Sequence, residues 1–278
     1  MFLSDEFVYV DLNKTGSVSV LNWLHALEFP PRQVTHHLKP DEAIVSSGIL
    51  KFATIRNPWD YYLSLWSYGV KRKRKSGPYL ALTRFRPLKS RGYTQNPFRA
   101  VCGFVPALLA AARQDWTANL HLYADPNNPD AFRTWLRKVM DPKLAPLLSG
   151  AYYSSRLHSH SGLYSYRFCN LYCAGSKTLH SGHLRDPQSL AEWAEENCYI
   201  DRFLHTESLA ADFRSVMLDH RLARAETLDT VIGAGKPMNA SRSAAAKRSD
   251  FYDMETRQLV ADRESLIINR FGYEFMEE

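Results

Sequence analysis

The sequence predicts an α/β fold: one domain with a central, mostly parallel sheet flanked by helices, plus a helical and irregular insertion. Three observations lead there. Apolar runs rich in β-branched and aromatic residues, of strand length, stand at residues 7–12, 50–55 and 198–205. The first two lead directly into a turn and then a stretch of helical period. A chain of 278 residues that is 45% hydrophobic and 23% charged can bury a substantial core.

Taken in order, Phe7 to Leu12 reads as a strand and Asn13 to Ser17 as a turn. Val18, Leu21, Trp23, Leu24 and Leu27 mark the apolar face of a helix that stops before Pro30 and Pro31. His36 to Ser47 reads as a short helix and loop. Leu50 to Ile55 is a second strand, broken by Arg56, Asn57 and Pro58. A helix from about Trp59 to Val70 follows, with Tyr62, Leu65, Trp66 and Gly69 on one side. Residues 71–99 change character, with a basic run from Lys71 to Lys75 and then Pro78, Pro87 and Pro97, and read as an exposed, irregular insertion. Helices are expected over Val101 to Arg113 and Pro129 to Val139. Residues 150–185, rich in Tyr, Ser and His, give no assignment. Leu190 to Glu196 reads as helix, Cys198 to His205 as strand, Leu209 to Leu218 as helix and Pro237 to Ser243 as loop. A long C-terminal helix is expected from Asp253 to Phe271, ended by Gly272.

Composition narrows the function classes only a little. The net charge of +6 is mild and suits an anionic ligand such as a nucleotide or an acidic glycan. The N-terminal residues carry no signal-peptide pattern, and no apolar run approaches the roughly 18 residues of a membrane span, so a cytoplasmic chain without a transmembrane segment is expected. Four cysteines (Cys102, Cys169, Cys173 and Cys198) are too few for a disulfide scaffold and read as thiols. Cys169 and Cys173 with His180 and His183 do not match the usual zinc spacings, and no metal site is assigned. The Lys71–Lys75 run reads as a solvated segment or as a surface drawing an anionic acceptor. No nucleic-acid-binding module accompanies it, so no nucleic-acid partner is expected. His158, His160, His180 and His183, with Tyr152, Tyr153, Tyr164 and Tyr166, suit a sugar site and an aromatic core equally well.

Two motifs carry chemistry. In the first, residues 13–19, Gly16 allows an unusual φ at a strand-to-helix turn. Amides at the start of the helix can cradle an anion, Thr15, Ser17 and Ser19 add hydroxyls, and Lys14 adds a mobile positive charge. The nucleotide-triphosphatase loop is absent, because Lys14 precedes the glycine. A tight turn capped by Ser and Thr explains the same residues. In the second motif, Arg56 stands at a strand end with Ser64 eight residues on. A guanidinium fork and a hydroxyl can share one phosphate. A solvated Arg56 before a helix opened by Pro58 is the plainer account.

Together the motifs resemble the PAPS-dependent sulfotransferases, in particular the carbohydrate-type bacterial branch. Lys14 to Ser19 is similar to that family's 5′-phosphosulfate loop, and Arg56 to Ser64 to its 3′-phosphate motif, in order and spacing. Asp201 to Leu204, Glu207 to Phe213, Met238 to Ser241 and Arg270 to Phe275 are similar too. Asn13 departs from the pattern, standing where proline is common.

The resemblance implies a single P-loop-like domain, with a PAPS-binding core over about residues 7–70 and 195–278 and an acceptor-binding insertion over about 71–190. It implies that Lys14 contacts the transferring sulfuryl group and that Thr15, Gly16, Ser17, Val18 and Ser19 hold the 5′-phosphate, largely through backbone donors. Arg56 and Ser64 would hold the 3′-phosphate. The reaction implied moves a sulfuryl group from PAPS to a hydroxyl of a glycan, glycolipid or small metabolite, with no metal required. The acceptor needs a base, and an imidazole suits the task. His36 and His37 lie between the motifs, where related enzymes often carry His or Glu. His37 is preferred because Glu42 follows it by five residues, as in bacterial members, with Glu28 and Glu42 in reserve. The rival expectations are another nucleotide-dependent transferase, such as a kinase, and a non-catalytic basic anion-binding protein.

Overall fold

Among the described residues five strands build one sheet: β1 (Phe2–Leu3), β2 (Phe7–Val10), β3 (Gln33–Val34), β4 (Leu50–Ile55) and β5 (Arg202–His205), in the order β3-β1-β2-β4-β5. The computed structural model describes residues 1–71, 73, 77–84, 97–234 and 248–276, the side chains of 97–104 excepted. Most of the basic run (72, 74 and 75), Pro87, the loop expected at Pro237 to Ser243 and the Met238 to Ser241 likeness lie outside the described residues. β2, β4 and β5 run parallel, while β1 pairs antiparallel with both β2 and β3. The expected α/β class therefore holds with a mixed sheet.

The chain divides into two compact units. The first gathers residues 1–57, 167–175 and, of those described, 194–234. It contains the whole sheet. β2 is buried at all four positions, as the middle strand of a sheet covered on both faces should be. On one face Phe7, Tyr9, Phe52 and Leu204 pack with Val20, Leu21 and Leu24 of the Ser17–Ala26 helix. Phe213, Val216 and Met217 of the Leu209–Asp219 helix and Leu228 complete that layer. Each such side chain contributes roughly 1.5–3 kcal/mol on burial. On the opposite face Phe203 stacks on Phe168 at 5.8 Å and meets Tyr172 edge-on.

The second unit is helical and holds residues 58–166, 176–193 and, as far as described, 248–276. Its Pro58–Lys71 helix is buried along most of its length, including Asp60, which pairs with Arg248 at 2.7 Å. Phe275 packs against Trp59 and lies 4.1 Å under the Arg257 guanidinium. No helix among the described residues is long and apolar enough to cross a membrane.

Several expectations change. β1 and β3 were not expected, and each is two residues long, too short to show a period. The strand expected from Cys198 pairs in the sheet only from Arg202, because Cys198 is taken up in an isolated bridge with Cys173 and Tyr199 N donates to Tyr172 O (3.1 Å). The expected irregular insertion holds a Gly77–Thr83 helix with Tyr79 and Leu82 buried. Residues 150–185, unassigned from sequence, fold into helices at Gly150–Ser154, Leu163–Tyr172 and Ser176–Leu179. Their aromatics, half-buried Tyr153 excepted, are core: Tyr164 stacks on Tyr61 at 3.8 Å, and Tyr152 hydroxyl donates to Ser161 O at 2.6 Å. The long C-terminal helix is two, Met254–Arg263 and Ser265–Phe271, ended by Gly272 at φ 64° as expected. They meet at Glu264, whose wholly buried carboxylate accepts from Tyr62 Oη, Tyr164 N, and Ser165 N and Oγ. Four donors converging on one side chain fix the break there.

Candidate functional site

The turn after β2 is shaped from inside the sheet. Thr15 Oγ1 donates to Leu12 O at 2.7 Å and so accepts from Thr54 Oγ1 at 2.7 Å, and Thr54 in turn accepts from Tyr9 Oη at 3.2 Å. This file of hydroxyls is buried. Lys14 and Gly16 both sit in the left-handed region, at φ 71° and 86°. Gly16 is required twice: for its φ, and because a Cβ there would stand 2.7 Å from Leu209 Cδ2. Gly16 also caps the Ser17–Ala26 helix without a side-chain hydrogen bond. The Ser17 and Val18 amides precede the first bond of that helix, from Ser19 N to Gly16 O at 3.0 Å. Such a helix start favours an anion.

Three cations meet this turn. Arg56, just beyond β4, donates from Nη1 to Lys14 O at 3.2 Å. Arg167 Nη1 donates to Asn13 Oδ1 at 3.2 Å, which gives Asn13 a role a proline there could not fill. Burial, and then the charge of Arg56, hold the Lys14 ammonium down at about 8. A site where one cation depresses another is relieved by an anion.

Residues near 207 fasten both motifs. Glu207 Oε1 accepts from Asn57 N at 2.7 Å, and Thr206 Oγ1 donates to Ile55 O at 2.9 Å. Leu209 closes over Gly16. Asp212 caps the end of β5 by accepting from His205 N at 2.7 Å.

Asp11, buried at the foot of the same turn, collects the two histidines. His36 Nδ1 lies 3.4 Å from Asp11 Oδ2. His37 Nδ1 lies 3.2 Å from Asp11 O and 3.3 Å from Asp11 Oδ2, and His37 N donates to Asp11 Oδ1 at 3.1 Å. The Met1 amino group also pairs with Asp11. His37 is held at φ 55°, and both imidazoles are largely exposed. With Nδ1 turned to Asp11, the far ring nitrogen is the one that can take a proton. Glu28 and Glu42 are exposed.

The structure thus brings Lys14, Gly16, Ser17, Val18, Ser19 and Arg56 to one turn, with Ser17 buried, Ser19 half-buried and Val18 44% exposed. Thr15 lies there too, but its hydroxyl is engaged within the fold. Ser64 is buried on the Pro58–Lys71 helix of the second unit. Sequence reasoning missed Asp11, Arg167 and the clamping by Glu207 and Leu209. An acid inside the apolar run at 7–12 was a visible signal for Asp11, and Glu207 and Leu209 stand in a segment the family likeness had singled out. Arg167 carried no signal. Comparisons of the chain with family models, curated proteins and solved structures give no match.

Proposed function

We propose that this chain is a sulfotransferase that moves a sulfuryl group from PAPS to an acceptor hydroxyl on a glycan, glycolipid or small metabolite. The observation that carries the reading is the joining of Lys14 and Arg56 at one strand-to-helix turn, with the start of the Ser17–Ala26 helix opening beside them. On this reading the turn is the nucleotide end of a P-loop-like core. The amides of residues 16–19 hold the 5′-phosphate, and Arg56 holds the 3′-phosphate. Lys14 stabilises charge building on the phosphate oxygen that leaves. One such donor is worth about 3–4 kcal/mol in the transition state.

His37, oriented by Asp11, takes the acceptor's proton, with His36 as the alternative on the same carboxylate. The acceptor oxygen then bonds to sulfur as the sulfur–oxygen bond to the 5′-phosphate breaks. Adenosine 3′,5′-bisphosphate leaves with the electron pair. Side chains and amides supply every charge in this scheme, so it requires no metal.

Calorimetry with adenosine 3′,5′-bisphosphate and with ATP tests the reading. The bisphosphate is expected to bind, and Lys14→Ala to weaken it while the thermal unfolding profile stays cooperative. Preference for ATP, or an affinity that Lys14→Ala leaves unchanged, overturns the assignment in favour of a kinase-like enzyme or an unrelated anion-binding protein.

A further inference from the structure

Cys173 and Cys198 face each other across an isolated antiparallel bridge within the first unit, where one follows the Leu163–Tyr172 helix and the other the Pro187–Asn197 helix. Ala174 N donates to Asn197 O at 2.7 Å and Tyr199 N to Tyr172 O at 3.1 Å. These bonds flank the cysteines instead of joining them, so the two form a non-hydrogen-bonded pair, with Cα atoms about 4.5 Å apart and side chains at their closest. A disulfide spans roughly 4.4–6.8 Å between Cα atoms. Cys169 is no competitor: it lies one helical turn before Cys173, where Cβ atoms are about 5–6 Å apart, against the roughly 3.5–4.5 Å a disulfide needs. Cys173 is 1% exposed and Cys198 half-buried, so Cys198 is the more accessible residue of the two.

We propose that Cys173 and Cys198 are a thiol–disulfide site, closed by exchange with a small-molecule disulfide. Cys198, the more accessible of the two, loses its proton and attacks one sulfur of the oxidant, whose other half leaves as a thiol. Cys173 then loses its proton and attacks the Cys198 sulfur, displacing the second half. Two protein thiols and one small disulfide become one protein disulfide and two small thiols.

The closed bond would fix a point that other groups already use. Lys39, two residues beyond His37, donates from Nζ to Cys173 O and lies 5.6 Å over the Tyr199 ring. Tyr172 hydroxyl donates to Thr54 O at 2.8 Å, and Thr54 shapes the Lys14 turn. Oxidation would therefore stiffen the support of the histidine loop. The thiol chemistry itself does not depend on the sulfuryl-transfer reading.

The test is to treat the whole chain with oxidised glutathione, titrate thiols before and after, and map linkages by mass spectrometry after alkylation. The expected result is loss of two of the four thiols, a Cys173–Cys198 cross-linked peptide, and recovery on reduction. Cys169→Ser should behave as wild type, Cys198→Ser should form no internal link, and Cys173→Ser should retain glutathione on Cys198. A stable glutathione adduct on wild-type Cys198, a link through Cys169 or Cys102, or no loss of thiols overturns the proposal.

Discussion

Lys14 offers the sharpest test, because its charge is held at a cost that a bound nucleotide should remove. The ammonium titrates at about 8 instead of its ordinary 10.5, through burial first and the Arg56 charge second. At about 1.36 kcal/mol per pH unit the protonated form carries a penalty of about 3 kcal/mol in the empty site. An arriving phosphate offsets it and returns the group toward its ordinary value. Free protein then loses the proton above pH 8 while the complex keeps it, so binding takes up protons and weakens as pH rises. If the complex restores 10.5, uptake at pH 9 is about 0.9 proton per nucleotide, and affinity falls about 70-fold from pH 7 to pH 10. Calorimetry with adenosine 3′,5′-bisphosphate in two buffers of different ionisation enthalpy reads the uptake directly. Lys14→Arg, which does not titrate in this range, should abolish it. The empty protein gives an independent check of sign. Between about 8 and 10.5 the unfolded chain binds the proton and the folded chain does not, so this residue makes stability rise with pH across that window. No buffer dependence at pH 9, or equal uptake in Lys14→Arg, would refute the reasoning.

Three further outcomes are expected. Gly16→Ala should cost about 1–2 kcal/mol in urea unfolding for its left-handed φ alone, plus the overlap with Leu209; adding Leu209→Ala should relieve the overlap and leave the φ penalty. Glu264→Gln places an amide against the Ser165 or Tyr62 donors and should destabilise by about 1–3 kcal/mol. Burial raises the Glu264 carboxyl above its ordinary 4.5, so the unfolded chain gives up this proton first, stability falls as pH climbs past that value, and the variant should lack this slope. His37→Ala should lower kcat by about 10²–10⁴-fold with bisphosphate affinity unchanged, and Asp11→Asn should move kcat in the same direction. Loss confined to His36→Ala would move the base by one residue.

What could be read from residues alone follows from where the information lies. The β4 bounds were legible because a strand buried on both faces is one apolar run and Arg56, Asn57 and Pro58 end it abruptly. The Pro129–Met140 helix was legible because Phe132, Trp135 and Leu136 recur on one face. The break at Glu264 was not, since helical period continues across it and its cause lies with Tyr62 and Ser165, about a hundred or more residues away in sequence. The site divides the same way. Lys14, Gly16 and Arg56 announce themselves at strand ends, whereas the engagement of the Thr15 hydroxyl depends on Thr54 and Tyr9 in neighbouring strands. Arg167 reaches Asn13 only through tertiary folding.

Glu207 and Asn57 are 150 residues apart in sequence, and the Gly16–Leu209 contact spans a longer interval still. Closing so long an interval is slow and entropically unfavourable. A nascent chain carrying both motifs but not yet the region around Glu207 therefore displays the signature without the grip. On the proposed function, nucleotide capture would be a late event in maturation, and an N-terminal fragment ending near residue 70 should be inert however intact its motifs are.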